Sequence, residues 1–131
     1  MRSAIKKLSR NYKITSFYSG DECSTGSCTG SGLCEKDFQI NDKGWYTYQG
    51  KLVLGTATTY LLKHGYTKIE NKEYFKYYDV LILEINGQTY EGIVLDSCGA
   101  CMKKNLIDFF GHYLSLLYYN GLLPDNQLRK L

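Results

Sequence analysis

No stretch of the chain approaches the run of about 18 apolar residues that a membrane-crossing helix needs, so no membrane span is expected. The opening residues, MRSAIKKLSRNYKI, are basic but have no apolar segment behind them, which excludes a secretory signal of the usual kind. A large excess of charge is also missing. The formal net charge is +3, and the densest basic cluster (Arg2, Lys6, Lys7, Arg10 and Lys13) falls within residues 1–13. A nucleic-acid face would be denser, so this segment reads as a basic leader, helical or a linker, and no nucleic-acid partner is expected. No internal repeat is present, which excludes a solenoid. The two histidines, His64 and His112, are isolated and are expected to pack or face solvent rather than ligate a metal. With no targeting signal to read, three settings stay open: the cytoplasm, a module of a longer chain, or a virion.

Proline occurs once against 13 glycines, a balance that suits turn-rich β structure. A chain of 131 residues makes about one domain, expected over 14–131. ITSFYSG (14–20) alternates as a first strand. DFQINDKGWYTYQGKLVLGTA (37–57) places turn signals at Asp42-Lys43-Gly44 and Gln49-Gly50 between short aromatic strands. TATTYLLKHGY (56–66) reads as a short helix stopped by Gly65 in a left-handed cap. In YDVLILEINGQTYEGIVLD (78–96) two β-rich runs flank Asn86-Gly87, the preferred dipeptide of a two-residue hairpin. LIDFF predicts one more strand, and HYLSLLYYNGLL (112–123) a second helix with Gly121 as its stop. The expectation is a mostly β domain with one or two short helices.

Five cysteines cannot all pair within the chain, and sequence alone does not set which do. Cys23, Cys28 and Cys34 lie in or beside a Gly/Ser/Thr loop that has little to pack, so bridging is the obvious way to tie it down. Cys98-Gly99-Ala100-Cys101 has the spacing that supports thiol exchange. It follows a hairpin arm, however, rather than opening the helix of a βαβ unit. The looser spacing of the other three cysteines does not suit a zinc ribbon. All five are therefore disulfide candidates first, with no metal expected.

Two aspartates bracket the CxxC pair. Asp96 ends an apolar strand after Ile93, Val94 and Leu95, and Asp108 stands between Ile107 and Phe109. A carboxyl among apolar neighbours has its pKa raised, as a general acid requires. The competing reading is that each aspartate accepts backbone amides in a turn. Trp45, Tyr46, Tyr48, Tyr60, Tyr66, Tyr77 and Tyr78 exceed what a small core needs, so some are expected to be exposed, where they can stack on sugar rings.

GIVLDSCGACMKKNLIDFF, from Gly92 to Phe110, resembles the signature of the 3D domain of bacterial cell-wall proteins. The matching residues are Asp96, Gly99, Ala100, Asn105, Ile107, Asp108 and Phe110. The chain is also similar to the wider group of lytic transglycosylase A, rare lipoprotein A and the expansins. The resemblance implies a six-stranded double-psi β-barrel that binds or cleaves peptidoglycan or another polysaccharide, without a cofactor. Carried over by position, Asp96 would be the catalytic acid/base and Asp108 the carboxylate that tunes it. Tyr18, Asp21, Thr58, Gly99 and Asn105 would line the substrate path, and Asp79 is a candidate for a further catalytic aspartate. The cysteines would be an addition that braces the site loop. The implied setting is extracellular, at the cell wall or in a virion such as a phage tail, within a larger tail or surface protein. A non-catalytic wall-binding or virion structural module on the same fold is the alternative.

Overall fold

The computed structural model describes residues 5–7, 11–19, 28–85 and 87–112. Its elements in chain order are β1 (Ile5–Lys7), β2 (Lys13–Ser19), β3 (Gln39–Ile40), β4 (Tyr46–Tyr48), β5 (Lys51–Thr56), α1 (Thr59–Lys63), β6 (Val80–Ile85), β7 (Gln88–Ser97) and β8 (Leu106–His112). The mostly β class expected from the sequence is present. The strands of one mixed sheet run in the order β1-β6-β7-β5-β4-β3, and β8 bonds to both β5 and β2. No helix among the described residues is long and apolar enough to cross a membrane.

Local turn chemistry explains the hairpins. Ile85 pairs with Gln88, so the β6–β7 connection is two residues long, as the Asn86-Gly87 signal predicts. Tyr48 pairs with Lys51, and Gln49 and Gly50 between them both have positive φ, at 52° and 80°. That is the type I′ pattern, whose twist matches the strands it joins. Helix α1 starts at Thr58, whose Oγ1 accepts the Leu61 N–H. It ends as expected: Gly65 has φ 101°, and the Tyr66 N–H closes back onto the Leu61 carbonyl.

β5 is the strand on which the site depends. Leu52 through Thr56 are all buried, the continuous pattern of a strand covered on both faces. It runs parallel to β7 on one edge. On the other edge it pairs antiparallel, first with β4 and then, through Leu54 and Gly55, with β8. One face packs Leu52, Leu54, Val94, Ile107 and Phe109 against Phe75, Leu81 and Leu83. The opposite face packs Val53, Ile93, Leu95 and Phe110 against Phe38 and Tyr46.

Two expectations differ. The segment read as a leader or linker supplies β1, which pairs with Val80–Ile82 and so satisfies the open backbone groups of β6. The described residues also hold eight strands rather than six, the additional ones being short edge pieces. Of the helix expected over 112–123, only His112 is described, and it ends β8; the remainder lies outside the described residues.

Gly92 is set by close approach of Leu54, whose side chain a Cβ at Gly92 would strike at both Cδ1 and Cγ. Leu54 is fully buried and has nowhere to retreat. Gly92→Ala is therefore expected to destabilise the domain by about 1–3 kcal/mol, as overpacking does. Denaturant unfolding checks this, and an unchanged midpoint would show that the core yields more easily than its packing implies.

Candidate functional site

A one-residue register shift builds the site. β5 and β7 pair Val53 with Ile93 and Leu54 with Val94, but the next pair is Gly55 with Asp96. Leu95 is thus an extra residue, a β-bulge. In unbroken register Asp96 would share the face of Leu54 and Val94, because side chains alternate along a strand. The bulge turns it onto the opposite face. There β8 brings Asp108 to Gly55 from the other edge, and Thr15 of β2 pairs with Asp108. Asp96, Gly55, Asp108 and Thr15 therefore form a row across four strands.

Gly55 is the gap between the carboxyls. A Cβ there would lie 3.5 Å from Asp108 Cβ, 3.7 Å from Asp96 Cβ and 3.4 Å from the Phe17 ring. The Phe17 and Phe110 rings stack beside the row with centroids 4.6 Å apart. Thr15 Oγ1 is buried with no hydrogen-bond partner.

A loop closes over Asp96. The Gly30 N–H donates to Asp96 Oδ1 at 2.7 Å, and the Ser31 N–H donates to the carbonyl of the bulged Leu95 at 3.0 Å. This loop is tied at its base by a Cys28–Cys34 disulfide, the restraint its composition called for. Gly30 leaves no room for a side chain, since a Cβ would strike the Tyr77 hydroxyl and sit 3.1 Å from Asp96 Oδ1.

Burial pushes the Asp96 pKa up, and hydrogen bonds from the Gly30 and Ser97 amides partly offset this. Asp108 is pushed up to about 6, first by burial and then by the negative charge of Asp96. Both its causes act in the same direction, so Asp108 is the carboxyl that holds its proton and Asp96 the one that ionises first.

A second row of hydroxyls adjoins the pair. Ser97 Oγ lies 2.6 Å from Thr58 Oγ1 and 2.7 Å from the Tyr77 hydroxyl. The Tyr77 pKa is raised, first by burial, then by the charges of Asp96 and Tyr60, against the lowering effect of its Ser97 hydrogen bond. The Tyr60 ring lies 5.5 Å from that of Tyr77 and stacks on His64 at 4.1 Å. Just past the end of β7, Cys98 and Cys101 form a second disulfide. Both sulfurs and an Asp108 oxygen lie within 4.8 Å of one another.

The expected site residues are thus partly gathered. Asp96 and Asp108 come together, and Thr58 joins the adjoining hydroxyls through Ser97. Gly99 is exposed beside the disulfide, facing the Tyr66 hydroxyl. Asn105 is exposed just before β8, where its carbonyl accepts the Lys13 N–H. Tyr18 pairs with Gly111 in β2, and its side chain is outside the described set, as are Asp21 and Cys23. Asp79 is buried, and its carboxylate accepts the Lys76 N–H within the turn that carries Tyr77. Sequence reading missed Thr15, Gly30, Gly55 and Ser97, and noted Tyr77 only as one of many tyrosines. A lone glycine inside the apolar run LVLGTA was an available signal of close approach.

Because the folded state holds the Asp108 proton to about pH 6 while the unfolded chain releases it near the ordinary 3.8, the native state binds more protons between these values. Stability should therefore fall as pH rises from about 4 to 6 and level off above. Asp108→Asn should flatten that slope, as melting temperature against pH would show; an unchanged slope would mean another group carries it. Gly30→Ala should loosen the loop and lower the Asp96 hydrogen-bond occupancy with little loss of stability, read from the Gly30-region amide signals; an unmoved loop would contradict the packing at Tyr77. Comparison with protein-family models, curated proteins and solved structures finds no match to this chain, so the likeness to the 3D domain rests on residues 92–110 alone.

Proposed function

We propose that the domain cleaves a cell-wall polysaccharide by aspartate acid/base chemistry, as a peptidoglycan lytic transglycosylase-like module on a double-psi β-barrel. The observation that carries this reading is the Asp96–Gly55–Asp108 row: two carboxyls on one face of neighbouring strands, both pushed up by burial, Asp108 to about 6. The resemblance over Gly92–Phe110 names the same two aspartates. Their environments favour an exchange of the roles that the resemblance implies. Asp108 donates a proton to the glycosidic oxygen, and the positive charge that develops at the anomeric carbon faces ionised Asp96. The sugar's own 6-hydroxyl then attacks that carbon and returns a proton to Asp108, which leaves an anhydro end and a regenerated acid.

The exposed Tyr60, Tyr66 and Tyr78 favour a second reading, a wall-binding or virion module that holds glycan without cutting it. Two disulfides suit an oxidising setting, in keeping with an extracellular, cell-wall or virion location for either reading.

Purified peptidoglycan tests the proposal. The natural protein should release soluble muropeptides with anhydro ends. Asp108→Asn and Asp96→Asn should each lower release by about 100-fold or more while the fold persists. Full release by Asp108→Asn would remove it from the acid role, and pelleting with cell walls without any product would favour the binding module.

A further inference from the structure

Cys98 and Cys101 are bridged across a CxxC span, and the two sulfurs sit against an Asp108 oxygen within 4.8 Å. The pair is asymmetric. Both are buried in a cluster with Ala57 and Met102, Cys98 at 7% exposure and Cys101 at 1%, so Cys98 is the less covered of the two. The Cys101 N–H donates to Cys98 Sγ at 3.1 Å, a hydrogen bond that favours a thiolate on Cys98 and leaves Cys101 as the covered partner. By contrast, Cys28–Cys34 closes a loop whose contact with the aspartates is a backbone amide, and its sulfurs belong to no such cluster among the described residues.

We propose that Cys98–Cys101 is a dithiol–disulfide exchange site, with the Asp108 carboxyl as the proton partner of Cys101. The electron donor is an external dithiol. One of its thiolates attacks Cys98 Sγ; the Cys98–Cys101 bond breaks, and Cys101 leaves and takes the Asp108 proton. The second thiolate of the donor then attacks its own sulfur bound to Cys98. A cyclic disulfide departs, and Cys98 is released as a thiolate held by the Cys101 N–H. Two electrons pass to the bridge, and Cys98 later takes its proton from solvent. In the reverse direction Cys98 attacks a substrate disulfide. Asp108 then removes the proton from Cys101, which attacks Cys98 Sγ and closes the bridge.

This chemistry needs no βαβ unit, because the amide and the carboxyl that assist it come from the loop and from β8. It uses Asp108 as the carboxyl within 4.8 Å of both sulfurs, and it does not depend on the glycan reading. The charged group acting on Asp108 is Asp96 of β7, while the two sulfurs face it from the loop.

The test uses the full chain reduced with a dithiol, freed of reductant and mixed with glutathione disulfide across pH 5–8. Acid quenching and mass mapping follow each cysteine. A transient glutathione adduct should form on Cys98 and resolve into the Cys98–Cys101 bridge, with a closure rate that rises as Asp108 ionises. Asp108→Asn should slow closure by about tenfold or more, accumulate the Cys98 adduct and flatten the pH profile. Asp108→Glu should restore part of the rate, which a merely structural role would not produce. Three results would overturn the proposal: a bridge that stays shut under dithiol while Cys28–Cys34 opens, an adduct on Cys101 instead, or equal closure rates in the natural protein and Asp108→Asn.

Discussion

The bulge at Leu95 is the constraint on which the rest of the site depends. A strand offers its side chains to alternate faces, so the face an aspartate reaches is decided by register before any chemistry begins. One extra residue on β7 moves Asp96 from the Leu54 face to the Gly55 face. β8 places Asp108 on that same face from the opposite edge of β5. Gly55 lies between the two aspartates, where a Cβ would touch both at ordinary contact distance. The carboxyl pair is a consequence of three strands meeting at one glycine.

Two carboxyls placed together among apolar side chains raise each other's cost of ionisation. The fold answers unequally. Asp96 receives amide donors from Gly30 and Ser97, whereas Asp108 lies beside Asp96 and a disulfide. The asymmetry separates the two carboxyls: both are raised, and Asp108, with no opposing donor among its causes, is pushed up to about 6. It also explains the placement of sulfur. Cys28–Cys34 ties the loop that delivers the Gly30 amide, and Cys98–Cys101 forms the wall behind Asp108. The aspartates and the cysteines, which looked like rival explanations of one motif, are parts of one assembly.

Features written in neighbouring residues were legible. The Asn86-Gly87 and Gln49-Gly50 connections, the Gly65 stop and the strand through Leu106–His112 all follow from local turn chemistry or apolar pattern. Asp96 and Asp108 stood out because polar residues inside apolar strands are rare. What was not legible depends on distant partners. Nothing in GIVLDS marks Leu95 as a bulge, since the bulge exists only relative to β5. The loop around Gly30 invited bridging by composition, yet the target of its amide lies 66 positions away. Asp79 was hard to place for the converse reason: its carboxylate accepts the amide of Lys76, three residues back, in a turn that the sequence does not announce.

Asp96 and Asp108 form an electrostatically coupled pair in which Asp108 keeps its proton to higher pH. Carbon-detected NMR titration of the aspartate carboxyls tests this most directly. Asp108 should titrate near 6 in the natural protein. Its midpoint should move down in Asp96→Asn yet stay above the ordinary carboxyl range, because burial persists. Ordinary, independent midpoints for both groups, unmoved when the other is neutralised, would contradict the account.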